Sequence, residues 1–141
     1  MNKRVFVDTG AWFAGLVSND QHHALAMSHR ATLLKRGSLL VTSNLVVHET
    51  TMLLERKASR RAAIRFLREI YSDSMVEIIH ADRTVESEGL EIYQKYQDQD
   101  YSITDSISFA IMRRLGISHC FAFDRHFQTM GFHVDPIARE R

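Results

Sequence analysis

At 141 residues, with 45% hydrophobic and 25% charged residues, the chain has the size and balance of one globular domain, taken here as residues 1–141, which excludes a disordered or two-domain organisation. No apolar run approaches the roughly 20 residues that a membrane-spanning helix needs. Residues 1–8 also lack the apolar core of a secretory signal, so a cytoplasmic protein without a membrane partner is expected. A net charge of only +1 excludes a uniformly basic surface, so any contact with nucleic acid must be local.

Residues 4–7, Arg4-Val5-Phe6-Val7, form a short apolar run closed by Asp8-Thr9-Gly10, the pattern of a buried strand ending in a turn. A helix is expected over residues 22–35, capped by Asp20 and stopped by Gly37, with Ala24, Met27, Ala31 and Leu34 at three- and four-residue spacing. Residues 39–42 read as a second strand. Ser43 then opens a helix reaching Lys57, and Ser59 caps another through Ile64, Leu67 and Tyr71, which together make a helical hairpin. Its segments carry Arg56, Lys57, Arg60, Arg61, Arg65 and Arg68, a local basic cluster that could meet phosphates; a merely solvated helix face is the competing reading. Residues 75–79 are a third strand, and Asp82 caps a helix to about Tyr96. Ser102 caps another through Ile107, Ala110, Ile111 and Leu115 to Gly116. Residues 118–123 are a fourth strand and residues 132–136 a short fifth. The lone Cys120 sits in an apolar stretch, as a buried core thiol would.

Strands separated by helical stretches imply parallel pairing through right-handed crossovers. The expected fold is a three-layer α/β/α sandwich with a central parallel sheet of four to five strands. Ligands of such sheets bind beyond the carboxyl ends of the strands, where the strand order reverses.

That rule draws attention to four acids. Asp8 ends the first strand and Asp124 the fourth, so the two emerge together if those strands are neighbours. Glu49 lies in the second turn of the helix after strand two, and Asp105 in the first turn of the helix before strand four. Four converging carboxylates repel one another, and a hard divalent cation relieves that repulsion. Mg2+ or Mn2+ prefers carboxylate and water oxygens and can activate a coordinated water against a phosphodiester. Each acid also has a plainer explanation. Asp8 suits a turn, Asp105 stands three residues after Ser102 as in a capping box, Glu49 suits a solvent-facing helix position, and Asp124 could cap the next helix.

The ordered set of motifs resembles the PIN-domain ribonucleases, and within them the VapC-like toxins of type II toxin-antitoxin pairs. The resemblance spans nearly the whole chain. It is carried by Val5-Phe6-Val7-Asp8-Thr9-Gly10-Ala11, by Asp20 with His23 and Ala26, and by Val41-Thr42-Ser43-Asn44 leading to His48-Glu49-Thr50. It continues through Asp100-Tyr101-Ser102-Ile103-Thr104-Asp105 ahead of Ser108-Phe109-Ala110, and closes with Ala122-Phe123-Asp124-Arg125-His126-Phe127. The resemblance implies an endoribonuclease dependent on Mg2+ or Mn2+, with Asp8 and Asp105 as principal metal ligands. It places Glu49 on coordinated water and Asp124 in a supporting position. Thr9 and Thr104 would be hydrogen-bonding neighbours, with Asp100 as an additional candidate or simply a surface carboxylate; from the basic cluster noted above, Arg56, Arg60 and Arg61 are the candidates to contact RNA. Many relatives carry Ser or Thr just before the fourth acid, where this chain has Phe123. The partners it implies are an RNA substrate, a small cognate antitoxin and a second copy of the chain.

Other chemistries fit less well. Asp8-Thr9-Gly10 matches an aspartic protease, but the helical remainder does not. His48-Glu49-Thr50-Thr51-Met52 begins like a zinc-protease motif and lacks its second histidine. An Asp-nucleophile phosphatase would carry a second Asp where Gly10 stands. His22, His23 and His126 are read as packing or exposed residues rather than as ligands. Two neighbouring alternatives stay open: an RNA-processing nuclease outside a toxin pair, and a non-catalytic PIN-like module that binds RNA or protein.

Overall fold

Three consecutive buried residues, Val5, Phe6 and Val7, make the first strand, β1 (Arg4–Val7), the centre of the sheet in the computed structural model, which describes residues 3–136. The chain continues through α1 (Thr9–Leu16), α2 (His23–Lys35), β2 (Leu39–Ser43), α3 (Asn44–Lys57), α4 (Arg60–Ser72), β3 (Val76–Ile79) and α5 (Arg83–Lys95). It ends with α6 (Ile103–Leu115), β4 (His119–Phe121), the short α7 (His126–Thr129) and β5 (His133–Asp135). All strand pairs are parallel, in the order β3-β2-β1-β4-β5. The α/β sandwich expected from the sequence is therefore present, with five strands.

The chain moves outward from β1 to β2 and β3, then returns to place β4 on the other side of β1. With right-handed crossovers, this change of direction puts α1 to α4 on one face and α5 to α7 on the other. The packing agrees: α1 contacts α2 and α3, α3 contacts α4, and α6 contacts α5 and α7. The reversal falls between the carboxyl ends of β1 and β4, where an open crevice is expected.

Aromatic packing fixes the second face. Phe6 and Phe109 both pack on Phe127, with centroids 6.2 and 4.9 Å away, and all three rings are fully buried. Burial of each such ring is worth roughly 1.5–3 kcal/mol over leaving it in water. On the first face, Trp12 Nε1 donates to Thr42 Oγ1 at 3.3 Å, and that hydroxyl donates to the Val7 carbonyl at 3.1 Å, so α1 is tied to β2 and β1 together.

Most predicted helix starts hold. Ser43, Ser59 and Asp82 accept side-chain cap bonds from the amides of Val46, Ala62 and Val85, and Ser102 caps α6. Gly116 ends α6 at φ 67, a left-handed conformation that costs glycine least. Four expectations need correction. The segment after β1 is a helix, α1, and not only a turn; it is buried at Thr9, Ala11, Trp12, Phe13 and Ala14, so it shows no polar face to mark it. In α2 the apolar set Ala24, Met27, Ala31 and Leu34 faces outward, and Ala26 and Leu33 form its buried contact. The inward side is completed by polar residues that find partners: His29 packs edge-on against Phe121, and Arg30 lies over Trp12 and 3.6 Å from Asp73. The Asp20 carboxylate accepts the His22 amide in a turn before α2, while His22 occupies the cap position without a side-chain bond. Finally, β4 stops at Phe121, so Asp124 follows the strand by three residues rather than ending it.

Candidate active site

Asp8 is placed by strand pairing. Its amide donates to the Phe121 carbonyl at 3.1 Å, extending the β1–β4 ladder by one bond, and its carboxylate begins where α1 starts. The residue is only 5% exposed. Burial holds its carboxyl group well above the usual aspartate range, and Asp124, Asp105 and Glu49 push it further up, with only the Thr9 amide acting the other way. The other three predicted acids therefore all act on Asp8. Cys120, buried in β4, responds similarly: burial raises its thiol, and Asp8, Asp124 and Asp105 add to the rise.

Asp105 serves two purposes. It sits at the third position of α6, where Ser102 Oγ accepts the Asp105 amide and Asp105 Oδ2 accepts the Ser102 amide, both at 3.0 Å, so the capping box suggested by the spacing is real. The same residue is buried within the acid cluster, and burial raises its carboxyl group above the ordinary value despite the bonds from Ser102 and His126. Capping and clustering coexist because a carboxylate has two oxygens. Asp124 is more open, with its side chain 43% exposed. Its Oδ1 accepts the His126 amide at 3.1 Å, so it also shapes the turn into α7. Glu49 is half-buried in the second turn of α3.

One residue set aside in the sequence belongs here. His126 Nδ1 lies 2.8 Å from Asp105 Oδ2 and 4.0 Å from Asp124 Oδ2, and one donor atom from each of these three residues falls within 4.8 Å of the others. Its position two residues after Asp124 was the available signal. The other two histidines do pack: His22 stacks on Phe123 at 4.5 Å, and His23 Nδ1 bonds the Ala14 carbonyl at 2.8 Å.

The neighbours differ. Thr9 and Thr104 are buried beside Asp8 and Asp105, and Thr9 Oγ1 has no hydrogen-bond partner among the described residues. A buried hydroxyl without a partner costs about 1–3 kcal/mol, which a bound water or ion would relieve. Asp100 is exposed and, among the described residues, makes no hydrogen bond or ion pair with the four acids. Arg56, Arg60 and Arg61 are exposed on the α3–α4 hairpin, where Arg60 bonds Glu55.

Two buried carboxylates, Asp8 and Asp105, stand with the more open Asp124 and Glu49 near the switch point of a parallel sheet, where ligands of such sheets commonly bind. The chain belongs to the PIN domain family, whose model matches residues 5–133. Among curated proteins it is 34% identical, over 128 residues, to the 23S rRNA-specific endonuclease VapC20 of Mycobacterium tuberculosis, covering 91% of this chain and 95% of that protein. The crystal structure of M. tuberculosis VapC20, described as a Sarcin-Ricin loop cleaving toxin, superposes with a TM-score of 0.85 at 33% identity, covering 91% of this chain and 95% of the other. A toxin-antitoxin complex from Klebsiella pneumoniae shares the fold, with a TM-score of 0.64 at 12% identity over 96% of this chain and 99% of that one.

Proposed function

We propose that this protein is a Mg2+- or Mn2+-dependent endoribonuclease and the toxin of a toxin-antitoxin pair. The observation that carries the reading is the state of Asp8: a nearly inaccessible carboxylate, just past the end of the central strand, in the field of three other acids. Left alone, such a group resists ionisation; a dication beside it favours the charged form and makes it a ligand. The donor set fits a hard cation, since it offers carboxylate oxygens, and the Thr9 hydroxyl, without a partner among the described residues, marks a place where a bound group would complete the bonding. Asp8 and Asp105 would hold the ion, Glu49 would orient a water, and Asp124 would support the site from its open side. Thr9 and Thr104 would steady the surrounding waters, with Asp100 outside them. When bound, Mg2+ or Mn2+ supplies neutralisation of charge on the phosphate and acidification of a coordinated water.

The RNA would lie along the α3–α4 hairpin. Residues 55–69 carry six of the chain's 18 lysines and arginines and two of its 17 acids, a local surplus of four in a chain whose total is +1. Arg60 and Arg65 are paired with Glu55 and Glu69, whereas Arg56 and Arg61 have no ion pair among the described residues. Exposed pairs are weak enough to be exchanged for phosphate, so Arg60 stays in the proposed contact set. The M. tuberculosis relative cleaves 23S rRNA, which makes structured ribosomal RNA the first substrate to try. A small antitoxin, a second copy of the chain and a cytoplasmic setting complete the proposal; among the described residues no helix is long and apolar enough to cross a membrane.

The decisive experiment is cleavage of a mixed RNA pool by purified protein with Mg2+ or Mn2+ and with chelator, beside D8N and D105N. Cutting by wild type alone, and only with the cation, is expected. Equal cutting by all three would point to another site or to contamination, and binding without cutting would favour a non-catalytic module. Induced expression should arrest growth and a small neighbouring gene should relieve it; harmless expression of active protein would favour an RNA-processing role.

A further inference from the structure

We propose that His126 is a positioning residue for Asp105: its imidazole engages one oxygen of that carboxylate so that the other is presented to the cation site. The inference rests on the reading of Asp105 as a ligand and adds a residue to it. Asp105 Oδ2 takes two donors, the Ser102 amide at 3.0 Å and His126 Nδ1 at 2.8 Å, while Oδ1 accepts no hydrogen bond among the described residues. Two donors on a single oxygen fix rotation about the last side-chain bond. A carboxylate capped by Ser102 alone could still turn about that bond, so the second donor makes the orientation unique.

His126 is itself held firmly enough to do this. Its amide donates to Asp124 Oδ1 at 3.1 Å, and its carbonyl accepts Thr129 Oγ1 at 2.9 Å. Tyr101 meets the imidazole edge-on, at 5.7 Å and 80°, and the Tyr101 hydroxyl bonds Thr129 Oγ1 at 2.7 Å. The next residue, Phe127, is fully buried against Phe6 and Phe109 and anchors α7 in the core. Ser102, Asp105, His126, Thr129 and Tyr101 thus form one connected network that joins the start of α6 to α7. A carboxylate that binds a cation with one oxygen commonly has the other oriented by such a partner.

The competing role is direct ligation by His126, which lies near enough to both Asp105 and Asp124 to be considered. The two roles separate cleanly. An Asn side chain places an N–H donor near the position of Nδ1, whereas Ala offers none. In calorimetric titration with Mn2+, H126A is expected to bind about 10- to 100-fold more weakly than wild type, and H126N to recover to within about threefold, with circular dichroism unchanged in both. In 1H–15N spectra of the imidazole, His126 Nδ1 should keep its proton and the Nε2 signal should stay in place when Mg2+ is added. Loss of that proton, or a large shift of the Nε2 signal, on adding Mg2+ would make the imidazole itself a ligand and overturn the proposal. So would failure of a folded H126N to recover, or Mn2+ binding indifferent to H126A. Absence of Mn2+ binding by wild type would instead remove the metal reading of the four acids, and this role with it.

Discussion

The amide of Asp8 donates to the carbonyl of Phe121 at 3.1 Å, and this bond at the end of the β1–β4 ladder brings the first acid beside the segment that carries the last. Asp124 then lies three residues beyond Phe121, and the turn formed by its bond to the His126 amide returns the chain toward α6, where Asp105 waits. Residues more than a hundred positions apart share a site because the strand order reverses there.

The stability of the ion-free protein should depend on pH through Asp8. Its folded-state pKa lies above the unfolded one, so the folded state holds the proton more tightly. The stability this contributes is complete below the ordinary aspartate value and is lost as pH rises through the elevated one. D8N stays neutral and escapes that loss, and it also relieves the repulsion on Asp105. Ion-free D8N should therefore melt above wild type at about pH 8, with the gap closing toward about pH 4. About 1 kcal/mol would appear as roughly 2–4 °C at this size. The lowered values of His29 and His119 act in the opposite sense, with stability lost as pH falls, but they are common to both proteins and cancel in the difference. Mn2+ should raise the wild-type melting temperature at the higher pH. A gap that is flat with pH would show that Asp8 is not perturbed as described.

Asp124 and Asp8 should not be equivalent in mutation. Asp8 is almost inaccessible, so nothing can replace its carboxylate, whereas the Asp124 side chain is 43% exposed and water can take its place. D124N is expected to lose about 10- to 100-fold in cleavage rate and to recover partly at high Mn2+, while D8N stays inactive at any concentration. Single-turnover rates across a Mn2+ series would decide it, and a D124N protein as dead as D8N would place the two acids on the same footing.

How much of this was legible in the sequence follows from the range of each signal. Ser102 and Asp105 are three residues apart, and a capping box is a local device, so the start of α6 could be read directly. The meeting of Asp8 with Asp124 was conditional, because nothing local says that β4 lies beside β1. His126 offered only its nearness to Asp124 in the chain, and the contact that gives it a role could not be read, because its partner Asp105 is 21 positions away. The helix α1 lacked a signal because it is buried nearly all round and has no amphipathic period. The outward turn of Met27 and Leu34 in α2 was misleading because His29 and Arg30 take the inward side, the one by ring packing and the other by lying over Trp12 near Asp73.

Gly89 should be intolerant of even one carbon. A Cβ at this position in α5 would lie 2.7 Å from Ile107 Cα and 3.0 Å from Ile107 N, both backbone atoms that cannot turn aside. Ile107 is two residues past Asp105 on α6, so the strain reaches the helix that carries the site. G89A is expected to destabilise the fold by about 1–3 kcal/mol, the usual cost of overpacking, despite the gain in helix propensity from Gly to Ala. Urea denaturation measures it. A stability equal to or above wild type would mean that α5 and α6 are not packed this closely.

The basic hairpin can be tested separately from the chemistry. Glu49 and Arg56 are seven residues apart on α3, hence on one side of that helix and about 10 Å apart along its axis, a direct path from the acids to the cluster. Arg56, Arg61 and Arg68 are exposed and have no ion pair among the described residues, so replacing them leaves no buried partner behind. In R56Q/R61Q/R68Q, RNA affinity should fall and the slope of log affinity against log salt should decrease by about 2, as expected for three lost contacts with single-stranded phosphates. The cleavage rate at saturating RNA should hold, because none of the three touches the acids. Binding would be measured in the D8N background, where substrate survives, and turnover in the active protein. An unchanged slope beside normal cleavage would place the RNA on another surface while leaving the nuclease assignment intact.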